Sequence, residues 1–209
     1  MTINYQEANA ALAGKTPIEI VEWVYEQQPN AMVTTNFSPY ETVILHMLTQ
    51  VQADIPVLWI DSGYNKPETY EFAESAIEEL GLNVSVYTPL VTAARRDAVM
   101  GGIPSINDEG HTEFTKQFKL EPFQRAMKES DAQFWFTAVR REQTALRADM
   151  DYIADGPFGV IKVAPLLDWK IADMQAYIEQ HNLPNELNYF DPTKAEDDRE
   201  CGMHTIKVA

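Results

Sequence analysis

Cysteine is all but missing from this 209-residue chain, with Cys201 standing by itself. One thiol cannot close an internal disulfide. Long apolar runs are missing too. No stretch of about 18 apolar residues occurs, which excludes a membrane-spanning helix. The opening residues MTINYQEANAALAGK have neither the basic start nor the apolar centre of a secretion signal. The expectation is a cytoplasmic protein in a reducing compartment. Positive charge is scarce as well: 16 Lys and Arg against 32 Asp and Glu leave a formal charge of −16. That balance argues against nucleic acid as a partner, because phosphate backbones are held by surplus Lys and Arg. Repeats, low-complexity tracts and Pro/Gly/Ser linkers are also lacking, so nothing divides the chain into several domains.

What is present is a 45% hydrophobic content, enough to bury a core, arranged as strands alternating with helices. Thr16, Pro17 and Glu19 form a capping box that opens a helix over 17–28. AMVTT (31–35) reads as a strand, and 39–52 carries Val43, Ile44, Met47, Leu48 and Val51 at helical spacing. The same alternation predicts a strand at 56–60, a helix at 67–80, a strand at 83–87 and a helix at 91–100. A polar loop runs to about 116, followed by a helix near 120–129, strands at 133–139 and 159–165, and a helix opened by Asp168. Such alternation implies an α/β fold, a doubly wound and mostly parallel sheet covered on both faces. We expect one domain over 1–182, with an N-terminal helix. Periodicity fades from Leu183, so 183–209 is expected to be a mobile tail.

In open parallel sheets, ligands bind beyond the carboxyl ends of the strands, where helix N-termini favour anions. The turn TTNFSPYET follows the first strand, and Ser38 there serves either as a helix cap with Glu41 or as a ligand contact. DSGYNKPETY (61–70) follows the second strand; Asp61, Ser62 and Gly63 suit a plain turn, or Asp61 faces a ligand. Arg140 and Arg141 come directly after the aromatic strand QFWFTAV, and Arg147 lies a turn or two further on. Adjacent guanidiniums at a strand end suit two-pronged contacts to phosphate or sulfate. An acidic chain can still hold a basic pocket. Cys201 is surrounded by Glu196, Asp197, Asp198, Arg199 and Glu200, which cannot be buried together, so its thiol is expected to be accessible. Acidic neighbours raise its pKa above about 8.5, and a reacting thiolate there needs a cationic partner such as His204 or the arginines.

The terminal ECGMH, DSGYNKPETY, KLEP (119–122) and WFTAVRREQ, in this order over about 30–204, resemble the thioredoxin-dependent phosphoadenylyl-sulfate (PAPS) reductases, whose fold is of the adenine-nucleotide α-hydrolase type. The resemblance implies a thiol reaction in sulfate assimilation. Cys201 attacks the sulfur of PAPS, adenosine 3′,5′-bisphosphate leaves, and reduced thioredoxin, or glutaredoxin, releases sulfite from the S-sulfocysteine. His204 assists. By the same resemblance Lys119, Arg140, Arg141 and Arg147 hold the phosphates and sulfate, while Thr35, Phe37, Ser38, Asp61 and Gly63 surround the nucleoside. Relatives that reduce adenylyl sulfate hold an iron–sulfur cluster on cysteine pairs. A cluster needs four thiolates, so none is expected here, nor any other bound cofactor or metal. A homodimer is compatible with the family, though no apolar face in the sequence establishes one. Two segments depart from the family pattern: the family's first turn is richer in serine and glycine than Asn36-Phe37-Ser38-Pro39-Tyr40-Glu41, and LPNELNYFDPTKAEDD is shorter and lacks the glycine–aspartate and histidine–threonine–threonine signature. An adenylyl-transferring enzyme of the same fold, or a nucleotide-binding protein without turnover, remain the alternatives.

Overall fold

A computed structural model describes residues 3–27 and 30–193. The first helix, α1 (Tyr5–Leu12), is followed by α2 (Pro17–Glu26), which begins at the expected capping box: Thr16 Oγ1 accepts from the Glu19 N–H at 3.3 Å, and Glu19 Oε2 accepts from the Thr16 N–H at 2.7 Å. Then come β1 (Ala31–Thr35), α3 (Glu41–Val51), β2 (Pro56–Ile60), α4 (Pro67–Leu80), β3 (Asn83–Tyr87) and α5 (Ala93–Met100). Beyond them lie α6 (Gly110–Thr115), a π-helical turn over Lys116–Leu120, α7 (Glu121–Glu129), β4 (Phe134–Phe136), β5 (Ile153–Asp155), β6 (Ile161–Val163) and α8 (Ile171–His181).

The six strands run in the order β3-β2-β1-β4-β6-β5, parallel throughout except for β5, which runs antiparallel to β6. Alternate side chains of the central strands serve opposite faces, as the strand repeat of two demands. Val33, Val57, Trp59, Phe134 and Phe136 join one core with α1–α4 and α8, whereas Met32, Leu58, Ile60 and Trp135 meet Phe123, Ala126 and Met127 of α7 on the other side. The expected doubly wound sheet is therefore present.

Four local expectations change. Strands predicted at 133–139 and 159–165 pair only over 134–136 and 161–163, and the residues just after β4, Thr137, Ala138 and Val139, line the site instead. α3 starts at Glu41, not at residue 39, since Tyr40 takes a left-handed conformation (φ 69°) as its N-cap. α8 is opened by Lys170, whose N–H donates to Asp173 Oδ2 at 2.7 Å; Asp168 instead pairs with Arg141. The stretch read as a polar loop up to 116 contains α6 and the start of the π turn, built on the stacked Phe114 and Phe118.

Two elements had no counterpart in the sequence reading. β5 is an edge strand, and α1 closes part of its open side: Asn9 Nδ2 donates to the Ile153 carbonyl at 2.8 Å, and Asn9 Oδ1 accepts from the Ile153 N–H at 3.0 Å. A side-chain amide thus stands in for a neighbouring strand, one way of blunting an exposed edge.

Candidate active site

The strand order reverses between β1 and β4, which opens a crevice at the carboxyl ends of the parallel strands. A cleft open to solvent lies there. Its floor is made by Thr34 and Thr35 from β1, Ile60 from β2, and Thr137, Ala138 and Val139 just past β4. Ser38 and Glu41 bring the start of α3 to one wall, and Phe118, Lys119 and Arg147 form another.

The turn after β1 is organised around a carboxylate. Glu41 Oε2 accepts from Thr35 Oγ1 at 2.6 Å, the Asn36 N–H at 3.0 Å and the Ser38 N–H at 3.3 Å. Asn36, with its amide turned to donate to Glu41, accepts from the Tyr189 hydroxyl at 2.6 Å. Enclosure of the Glu41 carboxylate pushes its pKa up, and the hydrogen bonds from Thr35, Asn36 and Ser38 only partly offset this. Ser38 lines the cleft without capping α3 through its hydroxyl. Phe37 is buried, edge-on to Trp59 with ring centroids 4.9 Å apart, and belongs to the core beneath the turn.

Asp61 and Gly63 shape the second turn and do not line the cleft. Asp61 Oδ1 accepts from the Gly63 N–H, Asn65 Nδ2 and the Tyr70 hydroxyl, each at 2.9 Å. Burial, then Asp61, push the Tyr70 hydroxyl up to about 12, so it stays a donor to that carboxylate. Gly63 has φ +75°, a left-handed conformation that favours glycine. The bracket aims Ser62 and Asn65 at the cleft in place of Asp61.

The basic residues divide. Lys119 and Arg147 line the cleft and are buried. The π turn carries one residue more per turn than an α-helix and places Lys119 directly after the buried Phe118. Arg147, on a short 3₁₀ turn (Ala145–Arg147), donates to Gln143 Oε1. Arg140 is also buried, behind this wall near Arg147; its Nε lies 3.4 Å from Glu142 Oε1 without a hydrogen bond. Burial lowers the Arg140 pKa, Glu142 raises it and Arg147 lowers it, with a net downward direction. Arg141 faces elsewhere: it pairs with Asp168, donates to the Met150 carbonyl at 2.7 Å and lies 5.4 Å over the Tyr152 ring.

Residues 183–193 cross the cleft as a strap. The Thr42 hydroxyl donates to the Pro184 carbonyl at 2.9 Å, and the Tyr40 N–H donates to Asn185 Oδ1 at 2.8 Å. Lys66 Nζ donates to Asn188 Oδ1, Tyr189 bonds Asn36, and Asp191 forms a buried ion pair with Lys119. Tyr189, Asp191, Pro192 and Thr193 all line the cleft. For want of an apolar period, the sequence placed these residues in a tail expected to be mobile from Leu183 on; residues 184–191 are instead tied down by side-chain hydrogen bonds and the ion pair, for which the Asp-Pro-Thr turn chemistry was the available signal. Cys201 and His204 lie outside the described residues. Among the described residues, no group of three or more His, Cys, Asp or Glu converges to hold a metal, and no helix is long and apolar enough to cross a membrane.

The phosphoadenosine phosphosulfate reductase domain matches residues 30–190. A phosphoadenosine 5′-phosphosulfate reductase of Synechococcus sp. is 38% identical over 180 residues, covering 85% of this chain and 77% of the relative. One of Xanthomonas axonopodis pv. citri is 35% identical over 219 residues, covering 94% and 90%. The crystal structure of PAPS reductase from Candida auris in a phosphate complex superposes with a TM-score of 0.77 at 24% identity, covering 88% of this chain and 90% of that one, a likeness of fold. Matched by that domain over most of its length and more than a third identical to such relatives, the chain belongs to the phosphoadenosine phosphosulfate reductase family.

Proposed function

We propose that this protein reduces PAPS to sulfite and adenosine 3′,5′-bisphosphate in sulfate assimilation, with Cys201 as nucleophile. The observation that carries this reading is the family match over 30–190, which takes in every residue lining the cleft except Asp191, Pro192 and Thr193. The Cys201 thiolate forms a bond to the sulfur of PAPS while the bond from sulfur to the bridging phosphate oxygen breaks. The electron pair leaves with adenosine 3′,5′-bisphosphate, and the sulfo group stays on Cys201. A thiolate of reduced thioredoxin, or of a glutaredoxin, then attacks the Cys201 sulfur and expels sulfite. The donor's second thiol frees Cys201, and the donor departs as a disulfide, so the two electrons come from the dithiol.

The cleft suits the anionic substrate. Lys119 and Arg147 are buried cations at the carboxyl edge of the sheet, where a charge-assisted contact is stronger than on a wet surface. Arg140 stands behind Arg147 and adds positive potential there. Thr35 and Ser38, with Thr34, Ser62 and Asn65, offer polar groups to the nucleoside. His204 as an imidazolium would lower the thiol pKa of Cys201 against its acidic neighbours. The setting is a reducing cytoplasm. The substrate is a small molecule, the protein partner a thioredoxin-like donor, and neither nucleic acid nor a bound iron–sulfur cluster enters the reaction. A homodimer is consistent with this scheme and not required by it.

The test is sulfite release from PAPS in the presence of reduced thioredoxin. Wild-type protein is expected to release sulfite and Cys201→Ser none, while both bind adenosine 3′,5′-bisphosphate, because a hydroxyl near neutral pH is a far poorer nucleophile than a thiolate. Sulfite production by Cys201→Ser would overturn the mechanism. An adenylyl transferase would be indifferent to Cys201 and would exchange pyrophosphate into ATP.

A further inference from the structure

The turn after β1 is closed around a carboxylate of its own. Glu41 Oε2 accepts from the Thr35 hydroxyl at 2.6 Å, the Asn36 N–H at 3.0 Å and the Ser38 N–H at 3.3 Å, and the Asn36 amide, turned to donate, lies 3.0 Å from each carboxylate oxygen. All of these partners donate, so none is arranged to accept a carboxyl proton; the geometry is that of a carboxylate, even though enclosure raises the pKa. No cation forms an ion pair with it among the described residues. Lys119 and Arg147 stand on another wall of the cleft. The turn also holds Phe37 at φ 51° and Tyr40 at φ 69°, left-handed conformations for residues that carry a Cβ. Such a backbone persists only where its surroundings fix it. Three donors converging on one carboxylate oxygen do so from within the chain.

We propose that Glu41 is a specificity-determining residue: its carboxylate takes the donors of the β1 turn for itself, so that this wall of the cleft rejects anionic groups and the nucleotide turns its charged groups toward Lys119 and Arg147. The inference rests on reading the cleft as the nucleotide site. A turn beyond the carboxyl end of a parallel strand, with N–H groups and a hydroxyl directed to one point, is where such a fold ordinarily receives an anion. In this chain an incoming phosphate meets donors already engaged and a negative charge with no cation paired to it. Both count against the phosphate. A hydroxyl or a ring nitrogen brings no such repulsion, and Thr34, Ser38, Ser62 and Asn65 line the cleft to meet it. The cleft is therefore electrically one-sided. It selects against ligands that need anion contacts on both walls, a like charge used against the wrong occupant. A nucleoside 5′-triphosphate is the clearest case, because its 5′ chain carries three charged groups where that of PAPS carries two.

The wild-type protein tests the first half of the proposal. In an NMR titration with adenosine 3′,5′-bisphosphate, hydrogen exchange at the Asn36 and Ser38 amides should slow by less than about twofold, since their acceptor is the same before and after binding. Slowing by about tenfold or more would mean that the ligand contributes an acceptor to those donors, and would overturn the proposal. Glu41→Gln tests the second half, because it keeps the size and an oxygen acceptor for the turn while removing the charge. Calorimetry without divalent cations should show ATP binding tightened by about tenfold, and adenosine 3′,5′-bisphosphate binding changed by less than about threefold. If Glu41 only braces the turn, both ligands will weaken or neither will change; if its charge is felt throughout the cleft, both will tighten by the same factor. Either result overturns the proposal. Should Glu41→Gln fail to fold, the amide titration of the wild type still decides. Failure of the bisphosphate to bind the wild type would instead remove the nucleotide-site reading itself.

Discussion

Arg141 and Arg147 stand six positions apart and do different work. Arg147 lines the cleft beside Lys119, whereas Arg141 is spent on Asp168, the Met150 carbonyl and the Tyr152 ring. Replacing Arg147 by alanine should weaken adenosine 3′,5′-bisphosphate binding by about 1.5–3 kcal/mol, the scale of a hydrogen bond to a charged group, and lysine should not restore it fully for want of the planar fork. Arg141→Ala should leave that affinity within about twofold and lower stability by no more than about 1 kcal/mol, since Asp168 is largely exposed and the pair is screened. Calorimetry on the two variants separates them; equal losses of affinity would contradict the division. Sequence alone placed Arg141 at the strand end and Arg147 a turn or two further on but could not say which way each points, because the backbone turns within Arg140–Gln143. Glu41 supplies a pH dependence. Its folded pKa is raised, so between the ordinary carboxylate value of 4.5 and that raised value the native state binds more protons than the unfolded chain. Stability is then greatest below the ordinary value and falls as pH rises through the window. Denaturation midpoints from pH 4 upward should show this decline in wild type and not in Glu41→Gln; a rise across the same range in wild type alone would reverse the assignment.

Elements were legible where their own periodicity or caps defined them. α2, α4 and the parallel β1, β2 and β3 are found within a residue or two of where propensity and capping put them. What failed to show depended on partners distant in sequence. α1 is tied to β5 through Asn9, β5 is an edge strand of three residues, and the π turn is fixed by the packing of Phe114 and Phe118. The strap has neither helical nor strand period, because its order comes from side chains reaching α3 and the π turn. Asn185 and Thr16 therefore make a contrasting pair. Thr16→Ala removes a cap far from the cleft and should reduce stability by about 1 kcal/mol without changing nucleotide affinity. Asn185→Ala, which frees the Tyr40 N–H at the start of α3, should reduce stability by about 0.5–1.5 kcal/mol and alter nucleotide affinity as well. Urea unfolding and calorimetry on both would show it; nucleotide affinity indifferent to Asn185 would mean that the strap is a spectator.

Over the whole molecule, a net charge of −16 surrounds a cleft whose wall carries Lys119 and Arg147. An acid surplus repels polyanions, and on the proposed reading the buried cations serve a small anion that fits inside. The sheet provides the cleft, residues 183–193 cross it, and the sequence beyond them carries the only thiol, so on the proposed reading holding the nucleotide and cleaving it fall to separate parts of the chain. Binding and turnover should accordingly come apart on mutation, which is why loss of activity alone would not identify the nucleophile. The most direct measurement is the intact mass of the wild-type protein after exposure to PAPS with no thioredoxin or other reductant, followed by peptide mapping. The account predicts one added sulfo group per chain, carried by the peptide that contains Cys201, and its disappearance with release of sulfite once reduced thioredoxin is supplied. A protein that binds the nucleotide yet never acquires the sulfo group, or acquires it on another peptide, would contradict it.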